Sequence, residues 1–200
     1  MIKVSEIAPD VYRISVFVEE YNLQFNHFLV KDDEPLLYHA GLRQMFPALQ
    51  EAVSKIISPS EIRWIGVSHY ESDECGALNE WLQLAPNAQA VCSEACAIIN
   101  LTDYAIRPAY AMPGNTVLNT GKYNYRFMRT PHLPHGWDGG LLFEETNKTL
   151  FCSDLFHQNG NVTDVTDQDI LSSHKNTLAV YQQGPLKEYT PYTPYTKKLL

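Results

Sequence analysis

The sequence has few cysteines and no excess of positive charge. Its 200 residues include four cysteines, and no two of them form the Cys-x-x-Cys pair that is typical of structural zinc sites. The net charge is −8 at pH 7, without a visible cluster of basic residues. Because phosphate groups are bound by concentrated positive charge, this composition argues against nucleic acid or an anionic membrane as a partner.

Long apolar stretches are also missing. Residues 1–6 lack the apolar core of a secretion signal, and no apolar run approaches the length of a helix that spans a bilayer. We therefore expect a cytoplasmic protein with no membrane as partner. In that compartment its cysteines would be reduced.

The remaining composition fits one folded domain of the α/β class. With 44% hydrophobic residues, residues 1–200 can bury one substantial core, so a single domain is expected. Apolar periodicity predicts strands with helices between them. The predicted strands are residues 11–18, 25–31, 35–40, 62–68, 88–92, 116–119, 123–129, 140–144 and 149–153. The predicted helices are residues 45–57, 76–85, 94–99 and a polar-faced segment at 170–178.

Acidic residues follow the apolar strand at residues 62–68. His69, Glu71, Asp73 and Glu74 stand within six positions. If the chain stays extended here, alternation points His69, Glu71 and Asp73 to one side, where they would gather nitrogen and oxygen ligands for a metal. Carboxylates so close together repel one another unless cations offset their charge. The alternative is an acidic turn before a helix, with Asp73 as N-cap and Glu74 in the first turn.

Two later segments favour the metal site. Residues 130–140 contain two prolines and three glycines, which predict an irregular loop, and His132 and His135 lie in it. One metal ligand and one supporting group explain two such histidines better than two surface residues do. Asp154 ends a short apolar strand between bulky residues. An unpaired carboxylate would be costly there, and metal binding would satisfy it.

This combination resembles a known superfamily. The strand end His-x-Glu-x-Asp at residues 69–73, the loop histidine and the aspartate that closes a later strand are similar to the metallo-β-lactamase superfamily. The hydrolase branch has histidine where this chain has Glu71, and glutamate there is typical of flavodiiron proteins and oxygen-binding di-iron domains. The resemblance extends to about residue 160. It implies an αββα sandwich of two mixed β-sheets, which in this chain would lack its last strand and helix.

The resemblance also implies roles for individual residues. His69, Glu71 and His135 would ligate one metal. Asp73 would contribute to the second metal, and Asp154 would bridge the pair. The five residues together would form a dinuclear centre.

Two positions leave alternatives within the resemblance. His132 competes with His135 for the place of the loop ligand. We favour His135 because it stands three residues before Asp138, as the family's loop histidine stands before its own acidic residue. The family usually has histidine where this chain has Glu74. That carboxylate is a direct oxygen ligand, a proton relay or only a helix-start residue, and the resemblance does not choose among these roles.

The resemblance implies two iron ions, and the donor chemistry is compatible with them. Glu71, Asp73, Glu74 and Asp154 supply four negative charges, which balance two divalent cations. Oxygen donors mixed with imidazole suit iron or manganese, whereas a structural zinc site more often uses thiolates. Zinc and manganese stay as alternatives to iron, because affinity order alone permits zinc in a mixed nitrogen and oxygen site.

The family's last histidine ligand is not visible. It stands on a strand well after the bridging aspartate, and only His157 and His174 follow Asp154 here. His157 follows too closely, and His174 lies in the predicted polar-faced helix. We therefore expect that the chain is a fragment that ends before its domain does. If residues 1–200 are the whole protein, the second metal is under-liganded. The Thr-Pro-Tyr repeat at residues 189–196 is expected to be a loop, and residues 199–200 the start of another helix.

Two functions are compatible with this site. The first is a dinuclear iron protein that binds or reduces a small oxidant, dioxygen or nitric oxide, as a sensor or as a donor-dependent reductase. Its partners would be the diatomic ligand and an electron-donor protein, since the flavin domain of the family's reductases is not visible here. The second is a metallohydrolase of an ester, thioester or other acyl substrate, in which Asp73 holds or deprotonates the nucleophilic water. A structural domain that retains only some ligands is a third reading, and a homo-oligomer is compatible with each.

Overall fold

A computed structural model describes residues 2–189, which form two β-sheets and five helices of the α type. The large sheet contains, in spatial order, β1 (Ile2–Ala8), β2 (Val11–Val18), β3 (Leu23–Val30), β4 (Leu36–Tyr38), β5 (Trp64–Gly66), β6 (Gln89–Ser93) and β7 (Tyr110–Met112). The small sheet contains β8 (Val117–Asn119), β9 (Asn124–Arg129), β10 (Gly140–Glu144) and β11 (Thr149–Phe151). The helices are α1 (Phe46–Ser54), α2 (Ser72–Cys75), α3 (Leu78–Leu84), α4 (Thr102–Tyr104), which continues the π-helical segment Cys96–Leu101, and α5 (Ile170–Tyr181).

The direction of pairing changes within the large sheet. Strands β1 to β4 pair antiparallel, whereas β4, β5, β6 and β7 pair parallel. Parallel neighbours need crossover connections, and the segments with α1, α3 and α4 supply them. The three pairings of the small sheet are antiparallel. Because β4 and β5 lie inside the large sheet, both of their faces are covered and all of their residues are buried.

The two faces of the large sheet belong to different cores. On one face, Leu37 and Ile65 join a core that includes the helical residue Trp81. On the other face, Tyr38 joins a second core with residues of the small sheet such as Tyr125. Neighbouring residues of a strand enter different cores because side chains alternate across it. This arrangement confirms the predicted α/β class and the two sheets packed face to face.

Most of the predicted elements are present, with shifted ends. Strands β2 and β10 occupy the predicted ranges, and α5 confirms the helix that contains His174. The helix predicted at residues 94–99 is the π-helical segment and α4. Strands β1 and β7 were not predicted. Both lie at edges of the large sheet, where β1 is mostly part-exposed and β7 is only three residues long, so neither has a clear apolar pattern.

Membrane-spanning helices and disulfide bonds can be checked within the described residues, whereas most of the C-terminal repeat cannot. Within residues 2–189, no helix is both long enough and apolar enough to cross a membrane. The four cysteines form no disulfide in this part of the chain. Residues 190–196 of the Thr-Pro-Tyr repeat and residues 199–200 lie outside the described range. Their interpretation, and the continuation of the domain beyond residue 200, stay predictions.

The guanidinium group of Arg107 joins the end of α3 to the start of β6. Its Nη1 donates to the carbonyl groups of Ala85, Pro86 and Ala88 at 3.1, 2.8 and 2.8 Å. Its Nη2 donates to the carbonyl of Leu82 at 2.7 Å. Carbonyl groups at the end of a helix have no partner within the helix, so this side chain supplies hydrogen bonds that the backbone cannot.

Arg107→Ala should therefore lower the free energy of unfolding by about 2 kcal/mol, because it removes hydrogen bonds from a charged donor. Chemical denaturation monitored by circular dichroism measures the change. Arg107→Lys keeps the charge but not the planar fork of donors, and we expect a smaller loss for it. An alanine variant as stable as the unmodified chain would contradict this role.

Candidate metal centre

The loop after β5 carries the first candidate ligand. Val67 donates its backbone N–H to the carbonyl of Val91 at 2.9 Å, and the carbonyl of Ser68 accepts from the N–H of Gly140 at 2.8 Å. These bonds hold the loop against β6 of the large sheet and against β10 of the small sheet. His69 follows directly and is only 2% exposed. Its imidazole is therefore fixed beside the end of β5 and the start of β10.

The chain becomes helical at Ser72, before the extended alternation reaches Asp73. Backbone angles φ and ψ of −143° and 159° show that Glu71 is extended, and α2 begins at Ser72. The carbonyl of Glu71 accepts from the N–H of Glu74 at 3.2 Å. The prediction that His69, Glu71 and Asp73 alternate along one extended face is therefore wrong beyond Glu71. The helical turn carries Asp73 instead and buries Glu74, and Glu71 rather than Asp73 stands at the N-cap.

Four of the candidate ligands converge. His69, Glu71, His135 and Asp154 each place one donor atom within 4.8 Å of the others. The Nε2 atoms of His69 and His135 lie 2.8 Å apart, and Oε2 of Glu71 lies 3.1 and 2.7 Å from them. Oδ2 of Asp154 lies 3.6 Å from both nitrogen atoms. Two nitrogen atoms and two oxygen atoms thus face a common centre, which we call the histidine group.

The charges within the histidine group shift several pKa values. Hydrogen bonds with His135 and His69 lower the pKa of Glu71 to about 2, so this group is a carboxylate. Burial lowers the pKa of His69, but the hydrogen bond with Glu71 and the charge of Asp154 outweigh it, and the pKa lies above its usual value. Burial raises the pKa of Asp154 to about 6, although the charge of His69 opposes this. The carboxylates therefore favour the protonated form of His69, which is a positive partner for them within the protein.

A second set of donors consists of carboxylates alone. Glu71, Asp73 and Glu74 offer donor atoms within 4.8 Å of one another, and we call them the carboxylate group. Burial raises the pKa of Glu74 well above its usual value, and the charges of Asp154 and Asp73 raise it further. Glu71 is common to both groups. Asp154, for which the resemblance implies the bridging role, belongs to the histidine group.

The residues of both groups fit divalent metal ions. A proton on Nδ1 of His69 can be donated to Oγ of Ser68, 2.9 Å away, which leaves a lone pair on Nε2. Oε2 of Glu74 is buried and has no hydrogen-bond partner within residues 2–189. Lone pairs that face one another in a buried site repel, and a cation between them removes that repulsion.

The hydroxyl group of Ser68 is a junction behind His69. Its Oγ lies 2.9 Å from Nδ1 of His69, 2.9 Å from Nε2 of His39 and 2.9 Å from Oγ of Ser153. A second hydrogen bond of this kind fixes the ring orientation of a metal-binding histidine. The sequence analysis missed Ser68 and His39, because nothing in the pattern marks a serine before a histidine as its partner.

Asp138 joins the two loops that carry candidate ligands. Its Oδ2 accepts from the backbone N–H of Tyr70 at 3.0 Å, which ties the 130–140 loop to the segment after His69. Gly136, with φ +74°, allows a close approach, since a Cβ there would lie 3.2 Å from Cβ of His69. These contacts bring His135 into the histidine group. His132 is exposed and lies outside both groups.

The two later histidines lie outside both groups. Nε2 of His157 lies 2.7 Å from the hydroxyl of Tyr181, and Nδ1 of His174 lies 2.8 Å from the carbonyl of His157. The hydroxyl of Tyr189 contacts Oδ2 of Asp154 at 3.4 Å. The sequence analysis placed this tyrosine in a loop and did not connect it with the site, because only the fold brings it there.

The loop histidines should differ in their effect on metal binding. His135→Ala removes a nitrogen donor of the histidine group and should remove most of the metal that the protein retains after reconstitution and desalting. His132→Ala changes an exposed residue outside both groups and should leave the metal content close to that of the unmodified chain. Elemental analysis per chain measures both. Equal losses, or the larger loss in the His132 variant, would show that the loop ligand is wrongly assigned.

Removal of the Ser68 hydroxyl should weaken metal binding without removing a ligand. Ser68→Ala takes away the partner of Nδ1 of His69, and changes of this kind cost about tenfold to 100-fold in metal affinity. Competition with a chelator measures the affinity. Ser15→Ala is the matched control, since this buried serine on β2 bonds Asn26 at 2.9 Å and takes no part in either group. Equal affinities of the two variants would mean that Ser68 does not orient His69.

Known proteins similar to this chain share its fold. An uncharacterised protein of Methanocaldococcus jannaschii is 27% identical over 170 residues, which are 79% of this chain and 43% of that protein. A flavo-diiron protein of Clostridium acetobutylicum is 27% identical over 139 residues, which are 68% of this chain and 34% of that protein. The structure of rubredoxin oxygen:oxidoreductase from Desulfovibrio gigas matches 98% of this chain and 52% of its own, with a TM-score of 0.81 and 18% identity.

The chain spans about half or less of the length of these relatives. The family model described as ODP family beta lactamase matches residues 23–186, which is most of the chain. This match and the relatives confirm the resemblance to the metallo-β-lactamase superfamily and its flavodiiron branch. The chain belongs to the ODP family of beta-lactamase-like domains.

Proposed function

We propose that this chain is a dinuclear non-haem iron protein that binds or reduces a small oxidant, dioxygen or nitric oxide, as a sensor or as a donor-dependent reductase. The observation that carries the proposal is the histidine group, with two imidazole nitrogens and two carboxylate oxygens within 4.8 Å. Mixed nitrogen and oxygen donors of this kind suit iron. Relatives named as a flavo-diiron protein and as a rubredoxin-oxygen oxidoreductase support both the metal and the type of oxidant.

Each candidate ligand has a place in this proposal. The first metal position, which would take iron, would be held by His69, Glu71 and His135, and the second metal position by Asp73 and Glu74. Asp154 is the proposed bridge, because its Oδ2 lies 3.6 Å from Nε2 of His69 and of His135, while the charge of Asp73 also raises its pKa. Ferrous iron in the histidine group would supply an electron and a coordination position for the oxidant, and a second divalent ion would stand beside it.

The electrons for repeated reduction come from a donor outside the described residues. Residues 2–189 form the two-sheet sandwich, and no second domain that could hold a flavin is present among them. In this proposal the donor is another protein or a further segment of the same polypeptide. Without the donor, the domain binds the oxidant and reacts at most once, which is the behaviour of a sensor.

The metallohydrolase alternative is less well supported. It requires Asp73 to hold a nucleophilic water, and Asp73 lies in the carboxylate group beside Glu74. Glu71 occupies the position at which the hydrolase branch of the superfamily has histidine, and the relatives named here by function are oxidoreductases or flavo-diiron proteins. Iron with a diatomic oxidant therefore explains more of the site.

Protein purified without oxygen from cells supplied with both metals should contain iron in preference to zinc. Exposure of the ferrous protein to air or to nitric oxide should then change its optical spectrum, because the oxidant binds at the metal. Elemental analysis and spectra before and after exposure measure the two effects. His69→Ala is the matched variant, and it should lose both the iron and the spectral change. It removes the nitrogen that lies 3.1 Å from Oε2 of Glu71 and 2.8 Å from Nε2 of His135.

The same experiment separates the proposal from its alternative. Near-stoichiometric zinc, no spectral response to either oxidant and hydrolysis of an acyl ester or thioester would favour the hydrolase. A spectral change that persists in the His69 variant would show that the oxidant reacts elsewhere in the protein.

A further inference from the structure

The two groups of candidate ligands offer different chemistry to a metal. The histidine group combines two imidazole nitrogens with two carboxylate oxygens. The carboxylate group consists of Glu71, Asp73 and Glu74, and it contains oxygen donors only among residues 2–189. Neither His157 nor His174 belongs to it among the described residues.

Glu74 is the residue that marks the carboxylate group as a site. It is 1% exposed, and its Oε2 has no hydrogen-bond partner within the described residues. The nearest basic groups are Nε2 of His69 at 3.9 Å from Oε2 and Nδ1 of His39 at 3.8 Å from Oε1. Both distances are too long for a hydrogen bond. A buried carboxylate oxygen without a partner is costly, and a cation held with Glu71 and Asp73 would satisfy it.

The backbone keeps Glu74 in this position. Its carbonyl accepts from the N–H of Ala40 at 2.7 Å, and its N–H donates to the carbonyl of Glu71. The side chain therefore leaves a helical turn that is fixed on both sides. Glu74 is also only 1% exposed, so the free oxygen is enclosed within the protein beside Glu71 and Asp73.

We propose that the carboxylate group binds a hard, oxygen-preferring divalent cation of the Mn²⁺ and Mg²⁺ class, so that the centre is heterodinuclear, with iron in the histidine group. Carboxylate oxygens suit such cations, whereas imidazole suits iron and zinc. The inference deepens the proposed function, on which the identity of the first metal rests. The nature of the second metal rests on the three carboxylates alone.

Titration with Mn²⁺ tests the inference. Metal-free protein is given one equivalent of ferrous iron without oxygen, and Mn²⁺ is then added while electron paramagnetic resonance follows the signal of the free ion. We expect one Mn²⁺ bound per chain without release of iron. Excess Mg²⁺ should compete for this position, whereas it should not displace the iron.

Variants of Glu74 identify the ligand. Glu74→Gln keeps the shape but removes the charge, and it should weaken Mn²⁺ binding at least about tenfold while the iron content stays unchanged. Glu74→His adds a nitrogen donor and should shift the preference of this position from Mn²⁺ toward iron or zinc. Glu51→Gln is the control, since Glu51 is an exposed residue of α1 that pairs with Lys55. Thermal unfolding followed by circular dichroism verifies that each variant is folded.

Each outcome bears on one of the two proposals. Two irons per chain with Mn²⁺ displaced, no second metal at all, or Mn²⁺ binding that is unchanged in Glu74→Gln would overturn the heterodinuclear centre. The proposed function would survive the first of these results. Zinc in the histidine group together with Glu74-dependent binding of Mn²⁺ would overturn the iron proposal and support the assignment of the carboxylate group.

Discussion

Repulsion among four carboxylates gathered around two imidazoles is the constraint on which the site depends. Burial raises the pKa values of Glu74 and Asp154, and the charge of the nearby Asp73 raises both further. A buried charge without a partner costs several kcal/mol, which is a large part of the stability of a domain. The hydrogen bonds of Glu71 with the imidazoles of His69 and His135 are therefore part of what makes this arrangement possible.

Backbone hydrogen bonds hold the segments that carry these like-charged side chains in place. The turn after β4 donates to the carbonyl of Glu74, and the start of β10 donates to the carbonyl of Ser68. Asp138 accepts from the backbone of one ligand loop while it belongs to the other. The large sheet supplies rigid support for the first of these loops, because β5, which precedes His69, is buried on both faces.

The two groups of candidate ligands share one residue but offer different donor atoms. Glu71 belongs to both groups, so a charge at one position affects the other. The nitrogen donors, however, are all in the histidine group. Because only one of the two groups has nitrogen donors, the groups can prefer different cations. The hydroxyl groups of Ser68 and Tyr189 contact His69 and Asp154, two candidate ligands of the histidine group.

Local patterns in the sequence determined the α/β class, strands such as β2 and β10, and the residue types of the metal centre, because periodicity and ligand spacing are properties of short segments. The resemblance then gave the sandwich and favoured His135. Only the tertiary structure decided that α2 begins at Ser72 and buries Glu74, since hydrogen bonds to Ala40 and Glu71 hold that turn. It also decided that Ser68 meets Ser153, 85 positions away, because contacts between distant segments leave no local signal.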